Sequence, residues 1–213
     1  MKLYSYFRSS AAFRVRIALN LKGLAYDTVP IHLRRNDQAK PDYREVNPQG
    51  LVPTLEDGAE TLIQSLAIIE YLDETYPDPR LLPAAPADRA RVRALAEIVA
   101  CDIHPINNLR VLRYLIHAFG RDDSQIAAWY NHWIDAGFQA LEALLNGDTR
   151  TGIFCHGDQP GLADIALVPQ VVNAERYHLD MAPYPTIARI FERCMTLHPF
   201  QSAHPDNQPD REA

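Results

Sequence analysis

Two adjacent hydroxyls, Ser9 and Ser10, stand just before an apolar-periodic stretch, Arg14 to Lys22, that closes at Gly23. Serine is a favoured helix N-cap, and the first turn of a helix presents unpaired N–H groups at the positive end of its dipole. The pair can therefore cap the helix or hold an anion there, with Arg14 adding positive potential; spacing alone leaves both open. Gln64-Ser65 repeats the arrangement at a second strand-to-helix junction. There the helix start and the Ser65 hydroxyl suit a carboxylate, while Gln64 suits a neighbouring amino group. Capping accounts for Ser65 but has no need of Gln64.

Cationic chemistry rests on arginine, because lysine occurs only at Lys2, Lys22 and Lys40. The planar guanidinium fork matches carboxylates better than an ammonium does. Arg8 lies beside the two serines, and Arg110 and Arg176 fall on later helical stretches. A lone helical arginine is ordinarily a solvated surface residue, and convergence of three is not visible in a sequence. His104, before Pro105, can cap or pack, or it can relay a proton near neutral pH. Asn108, one helical turn on, is expected to share its face. Asp164 sits at N3 of a capping box opened by Gly161 and is read as a folding residue. Cys101, Cys155 and Cys194 are read as buried inert thiols. They are too few and scattered for a disulfide framework, and neither they nor the histidines show metal-ligand spacing, so no metal is expected.

Elements must position these groups. The 213 residues, 47% hydrophobic and 23% charged, are enough for a substantial core in one or two domains. A net charge of −6 argues against a nucleic-acid partner. No apolar run approaches the ~18 residues of a membrane helix, and no signal-peptide core follows Met1, so a cytoplasmic, membrane-free protein is expected. Strands are predicted at Leu3–Tyr6 and Tyr26–Ile31. A hairpin is predicted through Val52–Glu56, the Asp57-Gly58 turn and Glu60–Ile63. One helix is predicted after Ser10 and another from Ser65. Pro77, Pro79, Pro83 and Pro86 then mark a stiff connector. Beyond it the chain reads as helices alone: Asp88–Val99, Pro105–Phe119, Ser124–Leu145, Leu162–Arg176 and Pro185–Leu197, with an irregular polar tail from His204. The organisation predicted is an α/β domain over 1–80, a proline-rich linker over 81–86 and an all-helical domain over 87–213.

That layout carries three strings of a known kind. The run from Tyr6 to Ala18, with Ser9-Ser10 and Phe13-Arg14-Val15-Arg16, resembles the signature of the zeta class of the glutathione S-transferase superfamily, which includes the maleylacetoacetate and maleylpyruvate isomerases. Asn47 to Leu55 and Ile63 to Leu72 resemble its glutathione-binding hairpin and helix. Cys101 to Arg110, Asp164 to Gln170 and Asn173 to Arg176 resemble segments of bacterial maleylpyruvate isomerases. The resemblance runs from Leu3 to about Pro209. One departure matters: Ala11 stands where the class has a cysteine, so the reactive sulfur must come from glutathione.

The resemblance implies a two-domain fold, thioredoxin-like with a mixed four-stranded sheet in the first half and all-α in the second. It implies glutathione as cofactor, with Ser9 meeting the thiolate and Ser10 and Arg14 supporting it. Val52, before a cis Pro53, would pair with the ligand's backbone, Gln64 and Ser65 would take its γ-glutamyl end, and Gln38 its glycine end. His104 and Asn108 would complete the cofactor contacts, and Arg8, Arg110 and Arg176 would hold a small dianionic cis-alkene. The expected activity is cis-trans isomerisation of a maleyl oxo acid in aromatic degradation, by thiolate addition, rotation and elimination, in a homodimer. The alternatives are conjugation or dehalogenation of small electrophiles on the same thiol site, and a non-catalytic binding module of the same fold.

Overall fold

The computed structural model describes residues 1–212. β1 (Lys2–Ser5) occupies an inner position in a four-stranded sheet of order β2-β1-β3-β4. β2 (Asp27–Pro30) runs parallel to β1 with Lys2 opposite Asp27. A parallel pair cannot be closed by a tight turn, and α1 (Ser10–Leu21) supplies the crossover. β3 (Thr54–Asp57) is antiparallel to β1, with Leu3 opposite Leu55, and pairs antiparallel with β4 (Glu60–Ile63). Gly58, at φ +61, turns that hairpin. α3 (Ser65–Thr75) follows at once. The mixed four-stranded sheet is thus the one the resemblance implies.

The long connection between β2 and β3 is more structured than its sequence suggests. It holds two single-turn 3₁₀ segments, Leu33–Arg35 and Asp37–Ala39, and a short helix, α2 (Pro41–Val46). Gly50 turns the chain back at φ +62; a Cβ there would lie 2.9 Å from the Gln38 carbonyl oxygen. The Val52–Pro53 bond is cis.

Buried cations organise this half, Lys22 and Arg16 among them. Lys22 Nζ, at the end of α1, donates to Asp73 Oδ1 (3.0 Å), Tyr76 O (2.6 Å) and Pro79 O (2.8 Å). Asp73 Oδ1 also accepts the Leu81 N–H at 2.7 Å, so the proline-rich stretch is held against α1 and α3. Arg16 is 0% exposed and donates to Ser5 Oγ, Phe7 O and Ala203 O. Burial lowers its pKa to about 10.

The helical elements are α4 (Pro86–Glu97), α5 (Leu109–Phe119), α6 (Asp123–Asn146), α7 (Leu162–Arg176), α8 (Pro185–Met195) and α9 (His198–Ala203). By contacts the chain forms two compact units, Met1–Leu81 with the segment from Met195 onward, and Leu82–Cys194. Chain order alone groups α9 with the helical half; its contacts are with α1. Within the second unit α7 is buried along nearly its whole length. Gly137 on α6 lets Ile103 approach so closely that a Cβ would collide with its Cδ1.

Three sequence expectations need correction. The helix expected from Pro105 begins at Leu109, because a π-helical segment, Ile98–Ile103, widens the chain after α4 and a turn intervenes before Asn108 caps α5. Cys101, expected to be buried, lies on that segment and is exposed; Cys155 and Cys194 are buried. α9 is not among the elements predicted from the sequence; Pro199 occupies its first turn, where proline is tolerated.

Asp164 behaves as a folding residue. Its buried carboxylate accepts the Gly161 N–H at 2.9 Å and the Cys155 N–H at 2.8 Å. Burial raises its pKa despite these bonds. Asp164→Ala leaves two N–H groups without their acceptor and is expected to cost about 2–4 kcal/mol, with a smaller loss for Asp164→Asn. Urea midpoints of the full chain check this; an unchanged midpoint for the alanine variant would show that both groups find other acceptors.

Candidate functional site

Ser9 has the extended backbone of an N-cap (φ −70°, ψ 115°), and its Oγ accepts the Ala12 N–H at 3.2 Å. Capping and anion binding turn out to be compatible. A hydroxyl has one proton to donate and two lone pairs to accept with. The cap uses a lone pair, so the proton stays available to an anion at the start of α1. Ser10, the first helical residue, is buried. The turn before Ser9 is closed by its own N–H, which donates to Tyr6 O at 2.9 Å.

Arg14 is 1% exposed, and its Nη1 donates to Ser65 Oγ at 3.2 Å. It therefore links the starts of α1 and α3, a bond that spacing in the sequence does not reveal. Ser65 is left in the same state as Ser9, its oxygen engaged and its proton available. Gln64 stands at φ +69°, ψ 118°, a backbone conformation that side-chain-bearing residues seldom adopt. Its side chain is exposed, and Nε2 donates to Gln49 Oε1 at 2.9 Å. Gln49 lies in the hairpin string but carried no role in the sequence reading; only its bond to Gln64 identifies it.

Val52 is buried in a cluster with Tyr6, Phe7, Ile31 and Tyr43. Gln38 lies on the second 3₁₀ turn, where Nε2 donates to Asn36 Oδ1 at 3.0 Å. Its Oε1 is buried with no donor. Arg8 is exposed, with its guanidinium 5.2 Å from the Phe7 ring centre. Within the first unit Arg14 on α1 thus joins Ser65 at the start of α3, while Ser9 caps α1 and Gln64 bonds to Gln49.

The remaining candidates belong to the second unit. His104 follows the π-helical segment, and its N–H donates to Val99 O at 2.9 Å, five residues back. Such segments recur at functional sites. Asn108 is the N-cap of α5, with Oδ1 accepting the Arg110 N–H at 3.1 Å. It does not share a helical face with His104, as expected from the sequence, because no helix spans the two. Arg110 is exposed on the first turn of α5.

Arg176 is exposed too, but its head is held. Nη2 donates to Asn173 Oδ1 at 2.7 Å, and the guanidinium lies 5.5 Å from the Tyr177 ring centre. Tyr130 stacks on Tyr177 at 3.8 Å. Burial raises the Tyr130 pKa to about 12, so it stays neutral beside the cation. Among the described residues no group of His, Cys, Asp and Glu could hold a metal.

Comparison with known proteins matches residues 3–80 to the glutathione S-transferase N-terminal domain and residues 127–193 to the C-terminal domain. A probable maleylacetoacetate isomerase of Vibrio cholerae is 53% identical over 98% of this chain and 97% of its own length. The solved structure of a maleyl pyruvate isomerase, described as a bacterial glutathione S-transferase of the zeta class, is 52% identical over the whole of both chains, with a TM-score of 0.98. A maleylacetoacetate isomerase from Methylobacterium extorquens AM1, solved with bound malonate and glutathione, is 44% identical over both chains at a TM-score of 0.97.

The left-handed backbone at Gln64 is testable by itself. Gln64→Gly relieves it and is expected to raise stability by up to about 1 kcal/mol. A lower denaturant midpoint would mean that the Gln49–Gln64 bond outweighs the strain.

Proposed function

The chain belongs to the glutathione S-transferase family, and from that premise we propose that it is a glutathione-dependent cis-trans isomerase of the zeta class. Its substrate is a maleyl oxo acid, maleylacetoacetate or maleylpyruvate, and its product the fumaryl isomer. The observation that carries the reading is the pair of helix starts bridged by Arg14, each with a serine whose oxygen is engaged and whose proton is available.

The residues present suit glutathione. Gln38 Oε1 is a buried acceptor without a donor, which a ligand N–H reaching it would satisfy. Ser65 and the start of α3 take the γ-glutamyl carboxylate, Gln64 the adjoining amino group and Val52 the peptide backbone; Gln38 takes the glycine end. Bound glutathione supplies a thiolate whose reversible addition to the alkene makes a rotatable single bond of the double one. A free thiol has a pKa near ~8.5 and is mostly protonated at neutral pH. Ser9 lowers that value by donating to sulfur at the positive end of α1, with Ser10 behind it and Arg14 adding buried positive charge. His104 and Asn108 complete the cofactor side.

Arg8, Arg110 and Arg176 hold the carboxylates of the dianion and stabilise the negative charge that addition pushes onto the oxo-acid end. The relative solved with bound malonate and glutathione supports a diacid as the second ligand. Names of both substrates occur among relatives of nearly equal identity, so identity does not choose between them. The reading extends to a homodimer in the cytoplasm. Among the described residues no helix is long and apolar enough to cross a membrane.

A thiol-balanced assay tests the function. Cis-to-trans conversion of either maleyl acid should require glutathione and leave total thiol constant; a falling thiol count would favour conjugation or dehalogenation. Ser9→Ala is expected to lower kcat/KM about 10²–10³-fold and to shift the acidic limb of the rate profile to higher pH. Arg110→Ala and Arg176→Ala should each weaken turnover of the dianion, and wild-type kcat/KM in both would remove them from the substrate site.

A further inference from the structure

The turn that carries Arg8 and Ser9 is not held by the sheet. β1 ends at Ser5, whose carbonyl accepts the Ile31 N–H at 2.8 Å, and the next backbone groups must find partners elsewhere. The Phe7 carbonyl accepts from Arg16 Nη2 at 3.1 Å. The Phe7 N–H donates to Asp210 Oδ2 at 2.9 Å, across 203 residues of sequence. Phe7 itself is 3% exposed, so without that carboxylate its N–H would be a buried donor with no acceptor.

The segment bearing Asp210 is fastened on both sides. Upstream, Arg16 Nε donates to Ala203 O at 3.0 Å, and Asn20 Nδ2 donates to Pro199 O and Ser202 Oγ. Downstream, Glu212 Oε1 meets His32 Nε2 at 2.7 Å and Arg35 Nη2 at 3.0 Å. The Asp210 carboxylate therefore arrives as a fixed, charged acceptor, and its bond to an amide is of the stronger, charge-assisted kind. Phe7 passes that constraint on. Its ring meets the Tyr6 ring at 4.8 Å and the Arg8 guanidinium at 5.2 Å, and the turn closes through the Ser9 N–H on Tyr6 O.

We propose that Asp210 is a positioning residue for the thiol site: by accepting the Phe7 N–H it fixes the turn that presents Arg8 and Ser9. The inference rests on the function proposed above for Ser9. Asp210 touches neither cofactor nor substrate in this scheme; it acts through Phe7. Preorganisation of this sort matters because small displacements of a reacting group are costly in rate.

The test uses the full chain with Asp210→Ala, Asp210→Asn and Glu212→Ala, and three readouts. Hydrogen exchange at the Phe7 amide in glutathione-free protein should quicken at least about tenfold in Asp210→Ala. Turnover at saturating glutathione should fall about tenfold or more, with the acidic limb of the rate profile moved to higher pH. Asp210→Asn, which keeps an oxygen for the Phe7 N–H, should restore most of both. Glu212→Ala, which undoes one of the segment's two fastenings but keeps the Asp210 carboxylate, should lose clearly less in both. Faster exchange with wild-type turnover and profile would make Asp210 a structural tether and overturn the proposal. Unchanged exchange, or equal losses in Glu212→Ala, would overturn it as well. A wild-type chain that bound glutathione without isomerising either maleyl acid would count against the proposed reaction alone. In that case exchange and the glutathione Kd of the same variants decide the role of Asp210, an unchanged Kd overturning it.

Discussion

A fully buried guanidinium lies at the centre of the first unit. Among the described residues no carboxylate is bonded to Arg16; its hydrogen bonds run to a serine hydroxyl on β1, a carbonyl in the following turn and a carbonyl at the end of α9. Taking such a charge out of water is expensive, and neutral acceptors offset the cost only when they are well aligned. The constraint works in both directions. The cation requires the three acceptors where they are, and so fixes the end of β1, the turn before α1 and the return of the chain's last helix to the first unit. A site that depends on the start of α1 depends on that arrangement.

The two helix starts show how one residue type serves folding and chemistry together. Ser9 caps α1 with a lone pair, and Ser65 takes a hydrogen bond from Arg14 with one. In each case the hydroxyl proton is left over. The choice between a cap and a ligand-binding group, open on spacing alone, is therefore not a real choice at these positions. Strain enters at the neighbouring residue: Gln64 holds a left-handed backbone between β4 and α3, which places an amide at the mouth of a helix that Ser65 begins. Backbone strain of this kind persists only where surrounding structure over-determines it.

The second unit solves a different problem, that of presenting polar groups from an apolar helical body. A π-helical segment delivers His104, an N-cap supplies Asn108, and a stacked tyrosine pair holds the Arg176 head. None of these is a regular helical face. That is why helical periodicity located the helices well and misjudged the groups between them, with the start of α5 and the exposure of Cys101 as the two consequences.

Local rules were enough for much of this protein. Apolar alternation and the Asp57-Gly58 turn determined the hairpin; serine and glycine punctuation bounded α1; the run of prolines separated an α/β half from a helical one. The strings around Ser9, Val52 and Gln64 determined the family, because they combine local elements with the chemistry those elements present. Tertiary structure alone decided what depends on groups far apart in the chain. Arg14 reaching Ser65, Arg16 reaching Ala203, Lys22 reaching Asp73 and Asp210 reaching Phe7 all join residues that no periodicity relates. The physical reason is common to them: a buried polar group must be satisfied somewhere, but only the folded chain determines which distant partner is within 3 Å or so of it.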